Sequence, residues 1–325
     1  MKKLALLITA VLIFAVMVTG CKKKAPELSE VIVIKIGVFQ PMTGANASGG
    51  ELEVEGIKLA NELFPEVLGK KIELVIADNK SDKVEAANAA ERLVNKEQVT
   101  AIIGSWGSSL SMAAGPIIKG KVPAVACSAT NPLVTKGNDW YFRVCFLDPF
   151  QGQVMATYAV TKLNAKTACV IQEISNDYSV GLAKFFMDSF IKQTKNEKAI
   201  LAKPFNYNTG DNDFTAQVTT IAQLKPDVIF APGNYTESAL IIKQARDQGI
   251  KIAFLGGDTW ETDPFLEVGK KAVEGATFST FFTSEVAMNK TSEQFLKAYR
   301  DKYKKDPAAV TALGYDAYLV VRAAI

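Results

Sequence analysis

Ala101-Ile102-Ile103-Gly104-Ser105-Trp106-Gly107-Ser108-Ser109 is a short, unbroken apolar run that opens into a Gly and Ser loop and then into a segment of helical period. An apolar run without alternation is what a strand looks like when helices cover both faces of its sheet. The same unit recurs along the chain. Strand-like runs lie at 31–39, 72–77, 101–104, 122–126, 168–172, 228–231 and 252–256, and helix-period segments at 51–64, 81–94, 179–193, 214–224 and 236–248 lie between them. Repetition of strand and helix in this order defines an α/β protein with parallel sheets.

The alternation breaks at Phe146-Leu147-Asp148-Pro149-Phe150, after about five strands, and restarts at Thr167. Two doubly wound, Rossmann-like lobes follow, with ligand sites expected beyond the carboxyl ends of the strands. The chain ends in an apolar helical pattern, 318–325, that carries no stop signal; either a buried helix closes the protein or the sequence continues further.

With 325 residues, 48% of them hydrophobic, the chain has enough apolar surface for two cores. Its 37 basic and 34 acidic residues leave +3, without the basic, aromatic-interleaved stripe of a nucleic-acid binder. The absence of histidine removes the commonest general base and zinc ligand. There is no phosphate-binding G-x-x-x-x-G-K-[ST] loop, no G-x-G-x-x-G after the first strand, and no G-x-S-x-G elbow. The Asp-rich stretches 78–82 and 211–213 lack calcium-loop spacing and read as helix-capping loops. These features argue against an enzyme, a cofactor and a metal site.

The N-terminus has the form of an export signal: Met1-Lys2-Lys3, an apolar stretch over 4–18 too short for a spanning helix, then Val18-Thr19-Gly20-Cys21. Small residues before a Cys resemble the lipobox of bacterial lipoproteins, which makes Cys21 the lipidation site, residues 1–20 the signal peptide and 21–30 a charged tether. Setting aside Lys2, Lys3, Lys22, Lys23 and Lys24 leaves 32 basic against 34 acidic residues, so the positive charge belongs to export and anchoring. Cys169 sits in an apolar run and reads as a buried hydrophobe, while Cys127 and Cys145 either pair or stay free.

Hydroxyl, Gly and aromatic residues gather just after the strands. Ser108 and Ser109 open a helix, where free N–H groups and the dipole favour an anion, although Ser is also an ordinary helix cap. Ser128-Ala129-Thr130-Asn131-Pro132 leaves the next strand, and together these loops can cradle a carboxylate. In the second half, Asp258 follows a Gly pair and is better placed than Glu237 to meet an ammonium, a turn or capping role being its alternative. Trp106, Tyr178, Tyr235 and Trp260 are candidates for the apolar walls, although aromatics are more often core.

As a set, Ile36-Gly37-Val38-Phe39-Gln40-Pro41-Met42-Thr43-Gly44, Asp78-Asn79-Lys80-Ser81-Asp82, Ala101-Ile102-Ile103-Gly104, Ser128-Ala129-Thr130-Asn131-Pro132, 142–152 and Gly314-Tyr315-Asp316-Ala317 resemble the branched-chain amino acid type of bacterial substrate-binding lipoproteins, the receptors of ABC importers. The resemblance spans 31–325. It implies a type I periplasmic binding protein: lobe 1 at 31–147, completed by 279–325 and by C-terminal residues beyond this chain, and lobe 2 at 148–278, closing around a hinge. It also implies an amino-acid ligand, a permease partner, a lipid anchor and a location on the periplasmic or outer side of the membrane. Ser108, Thr130 and Ser128 fall on carboxylate-holding positions, the last through its backbone, and Asp258 on the ammonium position. Tyr178 matches an aromatic that covers the site and Trp106 a contact to the side chain. Two positions depart from the leucine/isoleucine/valine-binding pattern, since Gly49 and Asn234 stand where Tyr is found there; a larger or more polar pocket follows. The same fold tuned to a small amide or urea, or serving as an amino-acid sensor ectodomain, is the alternative function.

Overall fold

A computed structural model describes residues 33–325. The signal peptide, Cys21 and the tether expected from the sequence lie outside the described residues.

The first sheet has the order β2-β3-β1-β4-β5-β6, formed by β1 (Ile34–Gln40), β2 (Glu66–Val67), β3 (Lys70–Asp78), β4 (Ala101–Ile103), β5 (Ala124–Ala126) and β6 (Tyr141–Arg143). All pairings but one are parallel. The exception is a small correction to the parallel expectation: β2 turns back on β3 as an antiparallel hairpin at the sheet edge, pairing Glu66 with Lys71. The second sheet has the order β11-β10-β9-β7-β8. It consists of β7 (Ala168–Glu173), β8 (Phe205–Tyr207), β9 (Val228–Phe230), β10 (Ala253–Gly256) and β11 (Thr277–Phe278), all parallel.

Helices cover both faces of each sheet, which accounts for the unbroken apolar strands. On the first sheet, α1 (Ala47–Leu63), α9 (Lys290–Tyr303) and α10 (Ala309–Ala324) enclose one core around Ile36, Val38, Ile103, Tyr299 and Tyr318. On its other face α2 (Lys83–Glu91), which runs on into a π-helical turn at Arg92–Lys96, and α3 (Ser108–Ile118) pack around Phe39, Leu93 and Ile102. The second sheet is flanked by α4 (Asp148–Lys162) and α5 (Asp177–Thr194) on one side. On the other lie α6 (Thr215–Leu224), α7 (Tyr235–Asp247) and α8 (Asp263–Gly269).

The last helix therefore returns to the first sheet and packs along α1. Glycine makes this packing close: a Cβ on Gly56 would fall 1.9 Å from the Thr311 carbonyl oxygen, and one on Gly314 would fall 2.2 Å from that of Glu53. Glycine inside a helix costs about 1 kcal/mol relative to alanine. Here the close approach of two backbones offsets that cost and presses Glu53 into the interior, where it is fully buried.

The three described cysteines are free thiols, so the Cys127–Cys145 pairing is not made. The strand register explains why. Ala126 lies opposite Arg143, which brings Cys127 level with Val144, and the Cys127 thiol turns instead toward Gln40, 3.9 Å away.

Candidate functional site

A narrow cleft of about 70 Å³ lies between the two sheets, and every segment lining it follows the carboxyl end of a strand. From the first sheet come Asn46 after β1, Ser81 and Lys83 after β3, Trp106 to Leu110 after β4, and Ser128 after β5. Glu173 to Tyr178 at the end of β7, Thr209 after β8, Asn234 after β9, and Asp258 and Thr259 after β10 complete it. Parallel strands all point their carboxyl ends the same way, so two such sheets facing each other converge their loops on one space.

On the first side, α3 begins at the cleft wall. Its cap is Gly107, at φ 88, a left-handed conformation that glycine adopts without strain and that brings no side chain to the first N–H groups. The Ser108 hydroxyl accepts from the Asn131 N–H at 3.1 Å, which leaves its own proton free to donate into the cleft. Donor groups and the positive end of the helix dipole thus face one wall.

Opposite them stands Asp258, buried. Gln151 Nε2 donates to its Oδ1 at 2.5 Å, and the Tyr178 hydroxyl donates to the same oxygen at 2.9 Å. Burial raises its pKa well above the ordinary carboxylate value, and the nearby Asp148 raises it further. Asp148 is itself fully buried, and among the described residues neither of its oxygens has a hydrogen-bond partner. Desolvation pushes its pKa up to about 7, against the opposing pull of the neighbouring Thr130 hydroxyl and Arg143. Glu173 is a third buried acid at the cleft; Thr209 Oγ1 and Asn176 Nδ2 donate to its two oxygens, and burial raises its pKa. These bonds hold the loops after β7 and β8 together.

The structure brings together Ser108, Ser128, Asp258, Trp106 and Tyr178 on the cleft wall. Three expected members are set elsewhere. Thr130 lies behind the wall against Asp148. Tyr235 backs Trp106, its ring centroid 6.1 Å from the indole, and donates its hydroxyl to the Ala45 carbonyl at 2.8 Å. Trp260 stacks on Phe265 at 4.9 Å and lines a separate cavity of about 310 Å³ with Val273 and Phe278. It points there because Gly256 leaves room beneath its ring, where a Cβ would come within 2.3 Å.

Sequence reasoning missed Asp148, Gln151, Glu173 and Asn46, whereas Asn234, singled out as a departure from the family pattern, does line the cleft. Asp148 had a usable signal, an acid directly before Pro149 at the lobe break.

Contacts across the cleft hold the two sides together. Lys83 pairs with Asp177 at 3.0 Å. The Ser109 hydroxyl donates to the Asp177 carboxylate and accepts its backbone N–H, both at 2.8 Å. Asn234 Nδ2 donates to Asn46 Oδ1 at 3.0 Å.

Two parallel sheets whose strand ends enclose a cleft with a helix N-terminus on one wall and a buried carboxyl on the other define a two-lobe binding protein. The chain belongs to the periplasmic binding protein family, whose model matches residues 33–325. Within that family it is of the branched-chain amino acid, type I class, with the extracytoplasmic location that membership implies. It is similar to the leucine binding protein LivK of Thermotoga maritima, with 44% identity and a TM-score of 0.87 over 90% of this chain and 82% of that one. It is also similar to the branched-chain amino acid transporter substrate binding protein LivJ of Streptococcus pneumoniae, solved with isoleucine, at 33% identity and a TM-score of 0.82 over 90% and 84% of the two chains. An amino acid binding protein of Pseudomonas aeruginosa is 33% identical over 71% of this chain, and the match spans 62% of that relative, under two thirds of its length.

Proposed function

We propose that this protein is the substrate-binding component of an ABC importer, which closes on an amino acid in the cleft and presents the closed form to a membrane permease. The observation that carries the reading is the pairing of opposite electrostatics across one small space. Ser108 and the first turn of α3 suit a carboxylate, with the Ser128 backbone beside them, and Asp258 suits an ammonium. Trp106 and Tyr178 supply the apolar contacts to the side chain. The ligand bonds to both walls only when they close, so binding favours the closed state by its differential affinity. A dissociation constant near 1 μM, about −8 kcal/mol, is within reach of such a site.

The chain is read as lobe 1 over 31–147, joined by 279–325, and lobe 2 over 148–278, with the closing motion at the crossings between them. Cys21 is read as the lipid-bearing residue that tethers it to the outer face of the membrane. A thermal-shift screen of the protein against the twenty amino acids, with small amides and urea alongside, tests the ligand class, because a ligand that binds only the folded state raises the midpoint. Stabilisation by an apolar amino acid is the expected result; a shift with urea or an amide alone refutes the amino-acid reading. Release of a Cys21→Ala variant from membranes tests the anchor, and lipid labelling that persists in the variant refutes it.

A further inference from the structure

Trp106 and Ser128 leave different strands, β4 and β5, yet a chain of two side chains from outside the cleft, Gln40 and Glu53, joins them. Glu53, on the buried face of α1, is completely enclosed. Gln40 Nε2, at the end of β1, donates to Glu53 Oε2 at 2.6 Å, and the Ser128 hydroxyl donates to Glu53 Oε1. Gln40 Oε1 in turn accepts the Trp106 backbone N–H at 2.6 Å.

Chemistry sets the direction of the bonds at Gln40. The Trp106 N–H can only donate, so Gln40 must turn its oxygen to Trp106 and its NH2 to position 53. Position 53 must then accept from Gln40 on one side; an ionised carboxylate also accepts from the Ser128 hydroxyl, whereas an amide presents its NH2 to Ser128 and reverses that bond. The Ser128 hydroxyl proton is thereby directed into the protein, leaving the Ser128 backbone to meet the ligand. The start of α1 also carries contacts that cross the cleft, Asn46 to Asn234 and the Ala45 carbonyl to Tyr235.

We propose that Glu53 is a positioning residue for ligand binding, its carboxylate holding the Ser128 hydroxyl directly and the Trp106 backbone through Gln40 in the geometry that faces the ligand. The proposal rests on the amino-acid reading of the cleft and adds a residue that never touches the ligand. It also links the helix that contacts the opposite lobe to the two ligand loops.

The test combines calorimetric titration with L-leucine and L-isoleucine at pH 8 and amide hydrogen exchange of the unliganded protein in the segments around Trp106 and Ser128. Gln40→Glu sets two carboxylates against each other and is expected to weaken affinity about 10-fold or more and to speed exchange in both segments. The double variant Gln40→Glu/Glu53→Gln rebuilds each bond that runs from Trp106 through positions 40 and 53 to Ser128, with the carboxylate on the other partner, and is expected to return to within about threefold of wild type. Glu53→Gln alone reverses the bond to Ser128, whose hydroxyl proton must then turn away from position 53, and is expected to speed exchange there. A double variant no better than Gln40→Glu, or a Glu53→Gln protein with wild-type exchange, overturns the proposal. Should the wild type bind neither amino acid, the functional reading fails on its own, and the exchange pattern still decides the positioning role.

Discussion

Replacing Asp258 by Asn removes a charge and almost nothing else. Asn keeps an oxygen where Gln151 Nε2 donates at 2.5 Å and the Tyr178 hydroxyl at 2.9 Å, so the unliganded fold retains both bonds. Losing one member of a desolvated charge pair costs about 2–5 kcal/mol of binding. The lower end applies here, because burial and Asp148 already raise the Asp258 pKa, and part of the pair's energy goes into deprotonating the free protein. At about 1.4 kcal/mol per decade, 2–3 kcal/mol is roughly a 30- to 140-fold loss of affinity. Calorimetry at pH 8, with the amino acid found in the thermal-shift screen, measures it, and the unfolding midpoint of the unliganded variant is expected within a few degrees of wild type. The pH dependence supplies a second check. An ammonium favours the ionised carboxyl and lowers its pKa, so binding releases a proton, and wild-type affinity falls as the pH drops below the raised pKa of the free protein. The Asn variant loses that dependence. Affinity within about threefold of wild type, or an unchanged pH profile, refutes the assignment of Asp258 to the ammonium.

Gly49→Ala places a Cβ 2.4 Å from the Trp106 ring and must displace an indole that lines the cleft; a loss of affinity of about 10-fold is expected by titration, with little change in far-UV circular dichroism. The unliganded protein is expected to lose stability between pH 5 and pH 8. Burial raises Glu53 from 4.5 to about 7 and Asp148 from 3.8 to about 7, so folding takes up protons in this window and the stabilisation present at low pH disappears as each group ionises. At 1.36 kcal/mol per unit each group accounts for at most roughly 3–4 kcal/mol, and a Glu53→Gln or Asp148→Asn protein is expected to show a flatter profile in denaturant unfolding; a wild-type midpoint that rises with pH across the window contradicts this. Cys127 and Cys169 are buried, and burial raises the pKa of the Cys145 thiol. Thiol labelling of the native protein is therefore expected to be slow at all three and complete after denaturation, with peptide maps identical with and without reductant.

The strand and helix alternation was legible because parallel strands buried on both faces must be apolar throughout, and that requirement is local. Ends were less so. Expected helices 51–64 and 179–193 became Ala47–Leu63 and Asp177–Thr194, each starting earlier because a polar or Gly-rich first turn carries little apolar signal. The short strands Phe205–Tyr207 and Thr277–Phe278 left no run long enough to stand out. The hairpin strand Glu66–Val67 is equally short, and its antiparallel pairing depends on a turn, Leu68-Gly69, in which both residues take positive φ.

From the sequence alone came the α/β class, the two-lobe division and the strand ends at which ligand groups gather, together with Ser108, Ser128, Asp258, Trp106 and Tyr178 as members of one site. The class, the division and the strand-end positions of Ser108, Ser128 and Asp258 follow from periodicity, while the placing of Trp106 and Tyr178 at the site was what the family resemblance implied. Tertiary structure alone decided which loop side chains turn inward: Trp260 leaves the cleft for the space beside Gly256, Tyr235 stands behind Trp106, and Cys127 faces Gln40 rather than Cys145. It also buried Asp148 and Glu53, acids to which the sequence assigned no role and that help to set the charge and geometry of the cleft. The direction of a side chain beyond a strand end depends on loop dihedrals and on neighbours far away in the chain, and a carboxyl is charged or neutral according to the solvent that packing removes.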